Sequence, residues 1–379
     1  MRYRHLFLGL LTANAASLLF FYGCDLKSGG DGTGSVPDTD SGFDSGLDAG
    51  VDADCPGVDR QTDKENCGAC GHSCRGSTCN AGQCVPARFS AISNAGELAV
   101  GSAGIVVTTS TDPGRVVFVS LDGDAGSSPV ASNESSPKGP STDGTSICWA
   151  NGNRVSCTAP DGGPIQATQA VFNGPNSTLI QGTYAYWLVN GNTELKRFPV
   201  DGGPTESIAV GDRTSPAPLG SRSLAFDGNR LVWLIRGTQT VYGAPLDGDG
   251  GLATTIAKVP SGTPNAVAVG QGAYFVAVED SGSELGGIYR IPTEGGTATA
   301  LFRQSLVSPS IAVEGTTVYY TNRANGSVYR FSIGDSVPDG GPAPFASGQA
   351  SPTSVRTGPD GFLYWANDNA DGGLMRVAK

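Results

Sequence analysis

Histidine occurs twice in the 379 residues, as His5 and His72, and neither lies within residues 87–379. A Ser-His-Asp or Cys-His nucleophile needs an imidazole beside it, so that stretch cannot perform such chemistry. A His-based metal centre is excluded there as well. Carboxylates remain available as acids, bases or calcium ligands. Most of the aspartates, however, sit in Asp-Gly dipeptides, where turn formation already accounts for them. No acidic set converges on one place in the chain, so no catalytic residue, cofactor or metal site is implied. The balance falls against an enzyme.

The nine cysteines fall into three groups: Cys24 alone, Cys55 to Cys84, and the pair Cys148 and Cys157. Their chemistry depends on the compartment, which the N-terminus addresses. Arg2 and Arg4 precede an apolar run from Leu6 to Phe21 that Thr12, Asn14 and Ser17 interrupt. The run is a poor permanent span. A basic start, an apolar middle and small residues after it make an export signal over residues 1–24. The junction Gly23-Cys24 resembles a bacterial lipobox, which implies that the Cys24 thiol is diacylated and anchors the chain to a membrane. Phe21 and Tyr22 depart from that pattern. Cleavage after Ala13-Asn14-Ala15 and retention of the run as an uncleaved anchor are the alternatives.

Residues 25–54 hold eight Asp, seven Gly and four Ser. Nothing there can bury a core, so the segment reads as a disordered tether. Thirty flexible residues span roughly 30 Å. Asp38, Asp40 and Gly42 hint at an EF-hand loop, but its twelfth position would be Ala49 and no helices flank it.

Cys55, Cys67, Cys70, Cys74, Cys79 and Cys84 are separated by 11, 2, 3, 4 and 4 residues, with almost no large apolar residue between them. Cross-links must therefore replace a core over residues 55–86. Cys67, Cys70, His72 and Cys74 are also readable as zinc ligands. In an exported chain, three disulfides are favoured, with fifteen connectivities open. The run Asn66-Cys67-Gly68-Ala69-Cys70-Gly71-His72-Ser73-Cys74, closing in Cys79-Asn80-Ala81-Gly82-Gln83-Cys84, resembles a small Cys-rich module of secreted myxobacterial proteins. That resemblance carries no activity.

Gly and Pro together make 80 of the 379 residues, and charged residues are only 16%. Such a composition suits many short strands joined by tight turns. Residues 87–379 repeat with a period of about 42. One repeat unit is four strands with an aromatic pair in the second strand and an Asp-Gly turn before the fourth. The copy from Pro309 shows Ile311-Ala312-Val313, Val318-Tyr319-Tyr320-Thr321-Asn322, Ser327-Val328-Tyr329-Arg330-Phe331 and Asp339-Gly340-Gly341. The second residue of the pair traces to Val107, Trp149, Trp187, Trp233, Phe275, Tyr320 and Trp365. Seven units of four strands predict an all-β, seven-bladed β-propeller, with six or eight blades as the alternative. The last unit ends after its third strand, and Arg88-Phe89-Ser90-Ala91-Ile92 has no unit of its own. Pairing the two would close the ring and remove an open edge.

Tyr319-Tyr320-Thr321-Asn322 and Tyr364-Trp365-Ala366-Asn367 resemble the repeat style of YWTD and NHL-type propellers, which implies inter-blade packing and no particular site. A two-residue turn at Gly152-Asn153 sets Cys148 opposite Cys157, where a cross-strand disulfide fits. With Cys24 acylated, the other eight cysteines pair evenly.

The net charge is −11: residues 1–24 carry +2, residues 25–65 carry −8 and residues 66–379 only −5. No basic run exists, so nucleic acid is excluded as a partner. Two functions remain. The first is a membrane-tethered, exported bacterial envelope lipoprotein whose propeller is a non-enzymatic binding or scaffold module for an envelope protein or glycan. Its candidate binding rim is Asn151, Asn190, Asn322 and Asn367, which end second strands. The second is a metal-dependent, carboxylate-based hydrolase or lyase similar to propeller lactonases.

Overall fold

The computed structural model describes residue 55 and residues 57–122, 126–168, 174–189, 194–211, 222–282 and 284–379. Residues 1–54, which include Cys24 and the segments read from the sequence as export signal and tether, lie outside the described residues, as does Asn190. Every described element is a strand. Seven four-stranded antiparallel sheets follow one another along the chain, with a two-stranded ribbon before them. They are the blades of a seven-bladed β-propeller.

The first strand of each blade is innermost. In order these strands are Ala95–Val100, Lys138–Thr142, Pro175–Gln181, Leu224–Phe226, Thr263–Gly270, Ile311–Glu314 and Pro352–Thr357. The second strands are Gly104–Thr109, Ile147–Asn151, Tyr184–Val189, Arg230–Ile235, Ala273–Glu279, Thr317–Asn322 and Phe362–Asn367. They are almost wholly buried because each sheet is covered on both faces by its neighbours. The Asp-Gly turns lead into the outer strands. Gly162, Gly202, Gly295 and Gly340 hold φ between +82° and +98° there, where a side chain would be strained.

The paired aromatics follow from strand geometry. Adjacent residues of a strand point to opposite faces. Tyr186 therefore packs with Leu231 and Trp233 of the blade after it, while Trp187 packs with Cys148 and Val155 of the blade before it. Tyr319 and Tyr320 divide in the same way.

Blade 5 corrects the repeat as traced from the sequence. Val276, not Phe275, lies opposite Val267, as Tyr320 lies opposite Ile311. Val276 packs toward blade 4 and Phe275 toward blade 6. A one-residue slip exchanges the two faces, and the aromatic side chain marked the wrong one.

The ring closes between the two ends of the repeat region. Ala87–Ser90 is the outer strand of blade 7 and pairs antiparallel with Gly373–Ala378. A Cβ at Gly373 would stand 2.4 Å from the Ser90 carbonyl oxygen, so only glycine permits this approach. The Arg376 guanidinium lies between two rings, 4.4 Å from the Phe89 centroid and 4.6 Å from that of Phe362.

The Cys-rich segment carries bridges Cys55–Cys70, Cys67–Cys79 and Cys74–Cys84. It does not stand apart. Cys67, Cys74, Cys79 and Cys84 belong to the same buried cluster as Val355, Leu363 and Trp365 of blade 7. The His72 Nε2 lies 2.9 Å from the Lys379 carbonyl oxygen, and Arg75 donates to the Asp360 carbonyl and covers the Phe362 ring.

Candidate functional site

The three described rim asparagines are turned inward. Asn322 is 2% exposed: its Oδ1 accepts from Val307 N at 3.3 Å, and its Nδ2 donates to Ser305 O at 2.7 Å. Asn151 accepts from Ser135 N at 2.9 Å and donates to the Glu134 carboxylate. Asn367 Nδ2 reaches Gln349 Oε1 at 3.3 Å. Each amide pins the connection arriving from the preceding blade.

In blades 2 and 7 the aromatic two residues earlier shares the same anchor, and in blade 6 it binds Gln304, the residue before the Ser305 that holds Asn322. Trp149 Nε1 donates to Glu134 Oε2 at 2.9 Å, Trp365 Nε1 to Gln349 Oε1 at 3.0 Å, and Tyr320 OH to Gln304 Oε1 at 2.7 Å. An aromatic, an asparagine and a Glu or Gln on the incoming connection thus form one recurring lock. Beyond the asparagines, neighbouring turns on the same rim are joined by ion pairs, Arg236–Glu279 at 2.8 Å and Arg323–Asp368 at 3.0 Å.

The innermost strands of all seven blades enclose an axial channel of about 360 Å³. Side-chain and backbone hydrogen bonds stitch its wall between blades. Val355 N donates to Ser310 Oγ at 3.2 Å, Leu98 N to Ser354 Oγ at 3.3 Å, Thr178 Oγ1 to Gly139 O at 2.6 Å, and Asn265 Nδ2 to Pro309 O at 2.9 Å. The wall has room because one level of it is built from small side chains. Ala99, Ala225, Ala268 and Ala312 each follow the residue paired to the second-strand marker of their blade, and all line the channel. At that level in blade 7 stands Arg356.

Among the described residues, three charged side chains line the channel: Glu97, Arg222 and Arg356. Glu97 Oε2 accepts from Gly139 N at 2.6 Å, and its Oε1 lies 3.5 Å from Arg222 Nη2. Arg222 is held by a parallel bridge to Ala266, and its buried Nε has no hydrogen-bond partner among the described residues. Arg356 Nη1 donates to Val355 O at 2.7 Å and to Ser310 Oγ at 3.3 Å. Among the described residues, no carboxylate lies within ion-pair distance of it. Burial, then Arg222 beside it, brings the Arg356 guanidinium down to about 10. Burial lowers Arg222 too, against the pull of Glu97. Lys138, at the start of the blade 2 inner strand, is lowered by burial and likewise raised by Glu97.

None of these charged residues emerged from the sequence reading. The available signal was the repeat itself: Ser310-Ile311-Ala312 and Ser223-Leu224-Ala225 align with Ser354-Val355-Arg356, where a large cation replaces alanine.

Cys148 and Cys157 are bonded and fully buried, with Cα atoms 4.1 Å apart in the register set by the Gly152-Asn153 turn. The sulfurs of Cys67, Cys74 and Cys84 approach within 4.8 Å of one another because two bridges lie side by side. Each is covalently engaged, so no thiolate is left for zinc. Both His72 ring nitrogens face carbonyl oxygens, those of Cys67 and Lys379.

The architecture defines the class of protein as a seven-bladed β-propeller closed by its own N-terminal strand. No family model and no curated protein matches the chain. Solved structures do. BamB from Moraxella catarrhalis is similar over 78% of this chain and 100% of its own, with TM-score 0.51 and 12% identity. The β-propeller domain of Myceliophteria thermophila Cps50 (Swd1) covers 76% of this chain and 98% of its own, with TM-score 0.58 and 10% identity. The WD40 β-propeller domain of Doa1 covers 77% and 94%, with TM-score 0.53 and 12% identity. At these identities the likeness is one of fold.

Proposed function

We propose that this chain is an exported bacterial envelope lipoprotein, tethered through Cys24, whose propeller acts as a non-enzymatic binding or scaffold module for an envelope protein or glycan. The observation that carries the reading is cysteine parity. Of nine cysteines, eight are consumed in four disulfides, and Cys24 remains, directly after the apolar run. Four disulfides call for an oxidising compartment outside the cytosol. The acidic, Gly-rich stretch after Cys24 then spaces the propeller from the membrane. With no imidazole in the propeller and the rim amides engaged in structure, the partner surface lies in the turns around the rim.

Replacing Cys24 tests the tether. Cys24→Ser should abolish incorporation of labelled fatty acid and release the protein from the membrane fraction. A variant that stays membrane-bound and is processed at the wild-type rate overturns the anchor. Pull-down from the native cell envelope tests the partner: retention of neither protein nor glycan counts against a scaffold.

A further inference from the structure

We propose that the axial channel binds a small organic monocarboxylate, its carboxylate held by Arg356 and Arg222 and its apolar part lying along the channel wall. This reading is independent of how the chain is anchored.

The first observation is charge. A chain with net charge −11 places two arginines and one glutamate on its channel wall. Glu97 pairs with Arg222 at 3.5 Å and attracts Arg356 only from beyond ion-pair distance, so the direct partners of Arg356 are neutral oxygens. A guanidinium removed from bulk water without a counter-charge in contact is costly, and an anionic ligand relieves that cost.

The second observation is unused hydrogen-bonding capacity. Arg222 Nε is buried and unpartnered among the described residues, and both hydrogen bonds of Arg356 to described residues leave from Nη1. The planar fork of Arg356 has donors left to meet both oxygens of a carboxylate.

The third observation is space. Four alanines at the level of Arg356 keep the channel open, at about 360 Å³, which is within the usual range for small-molecule sites.

Charge and lining select the class. The lining carries a surplus of one positive charge, which one carboxylate cancels. A phosphate dianion would leave the channel with a net negative charge in a poorly solvated place. The wall also includes Leu224, Phe226, Val267, Val269 and Val313, which suit an aliphatic or aromatic body better than a sugar.

The test uses the full-length chain in non-ionic detergent, titrated calorimetrically with hexanoate, and with hexylammonium and inorganic phosphate as comparators. Saturable one-to-one binding of hexanoate, at least tenfold tighter than either comparator, is the expected result. Arg356→Met should weaken it tenfold or more, and Arg356→Lys should recover part of the loss. Absence of hexanoate binding at millimolar concentration, equal or tighter binding of phosphate, or an Arg356→Met affinity equal to wild type overturns the proposal. A crystal structure of the wild-type chain soaked in hexanoate decides without any variant. The carboxylate should lie within hydrogen-bond distance of Arg356, and a carboxylate found only outside the channel refutes the site.

Discussion

Asp280 shows how much one side chain at a blade junction can organise. It follows the second strand of blade 5 and accepts Gly286 N at 2.7 Å and Leu306 N at 3.0 Å through Oδ1, and Ser305 Oγ at 2.5 Å through Oδ2. Burial raises its pKa, but the donors of Ser305, Gly286 and Leu306 together outweigh that and hold it below 3.8. A carboxyl depressed in the folded state contributes stability above its unfolded pKa. The contribution is lost as pH falls through the folded value. Asp280→Asn should therefore destabilise the chain by about 1–2 kcal/mol at pH 7, because it keeps the shape and loses the charge-assisted bonds. The gap to wild type should narrow as pH falls below about 4. Denaturant titrations across that range check the sign, and a gap that stays constant with pH rules out the carboxylate as its origin. Cys148 and Cys157 lend themselves to a second measurement. Their bridge closes a short loop, so the loss of chain restriction on replacing both by Val is at most about 2–3 kcal/mol. The Val pair fills the same buried space on facing strands, where β-branched residues pack well. A folded propeller with a modestly lowered melting temperature is expected, and an unfolded one would contradict it.

At the level of elements, the closing strand depends on few contacts. Phe89 lies against Tyr364 at 5.5 Å and under the Arg376 guanidinium, and its strand bulges between Arg88 and Ser90. Phe89→Ala should cost about 2 kcal/mol, less than a fully buried ring because Phe89 is only half-buried. Replacing residues 87–93 by a Gly/Ser segment of equal length should cost more, because it also bares the edge of blade 7. Thermal melts of the two variants and wild type should rank in that order, and equal melting temperatures would show that closure contributes nothing. This strand was legible in the sequence because a final unit one strand short and an orphan strand at the other end can only complement one another. The Cys148–Cys157 register was legible for a related reason: a two-residue turn leaves no freedom in what lies opposite. The slip at Phe275 shows where such reading fails. Its blade fills the marker position with Val276, and side-chain type alone does not say which face of a strand a residue takes. The channel arginines were hidden for a larger-scale reason. Which inner-strand residues meet across the axis is decided by closure of the ring, not by any one repeat.

At the scale of the whole molecule, the Cys-rich segment and the propeller form one compact unit over Val51–Lys379. Disulfides stand in for a core within the segment, but the segment alone does not bury them. The two-stranded ribbon Cys79–Asn80 and Gln83–Cys84 is too small to bury its own bridges. It does so by sharing a cluster with Leu363, Trp365 and Val377 of blade 7. Arg75 is the cross-brace: it donates to the Asp360 carbonyl and its guanidinium sits 5.7 Å from the Phe362 centroid. Blade 7 is also the blade assembled from both ends of the repeat, so the segment covers the one seam in the ring. Module and seam should therefore open together. Hydrogen exchange of the wild-type chain should give the amides of Cys79 and Cys84 protection similar to those of Leu374 and Val377. Arg75→Ala should lower protection in both places and leave blade 4 unchanged, because blade 4 packs in a different cluster. If the segment's amides in the wild type exchange orders of magnitude faster than those of blade 7, the segment is an appendage and the ring holds its seam unaided.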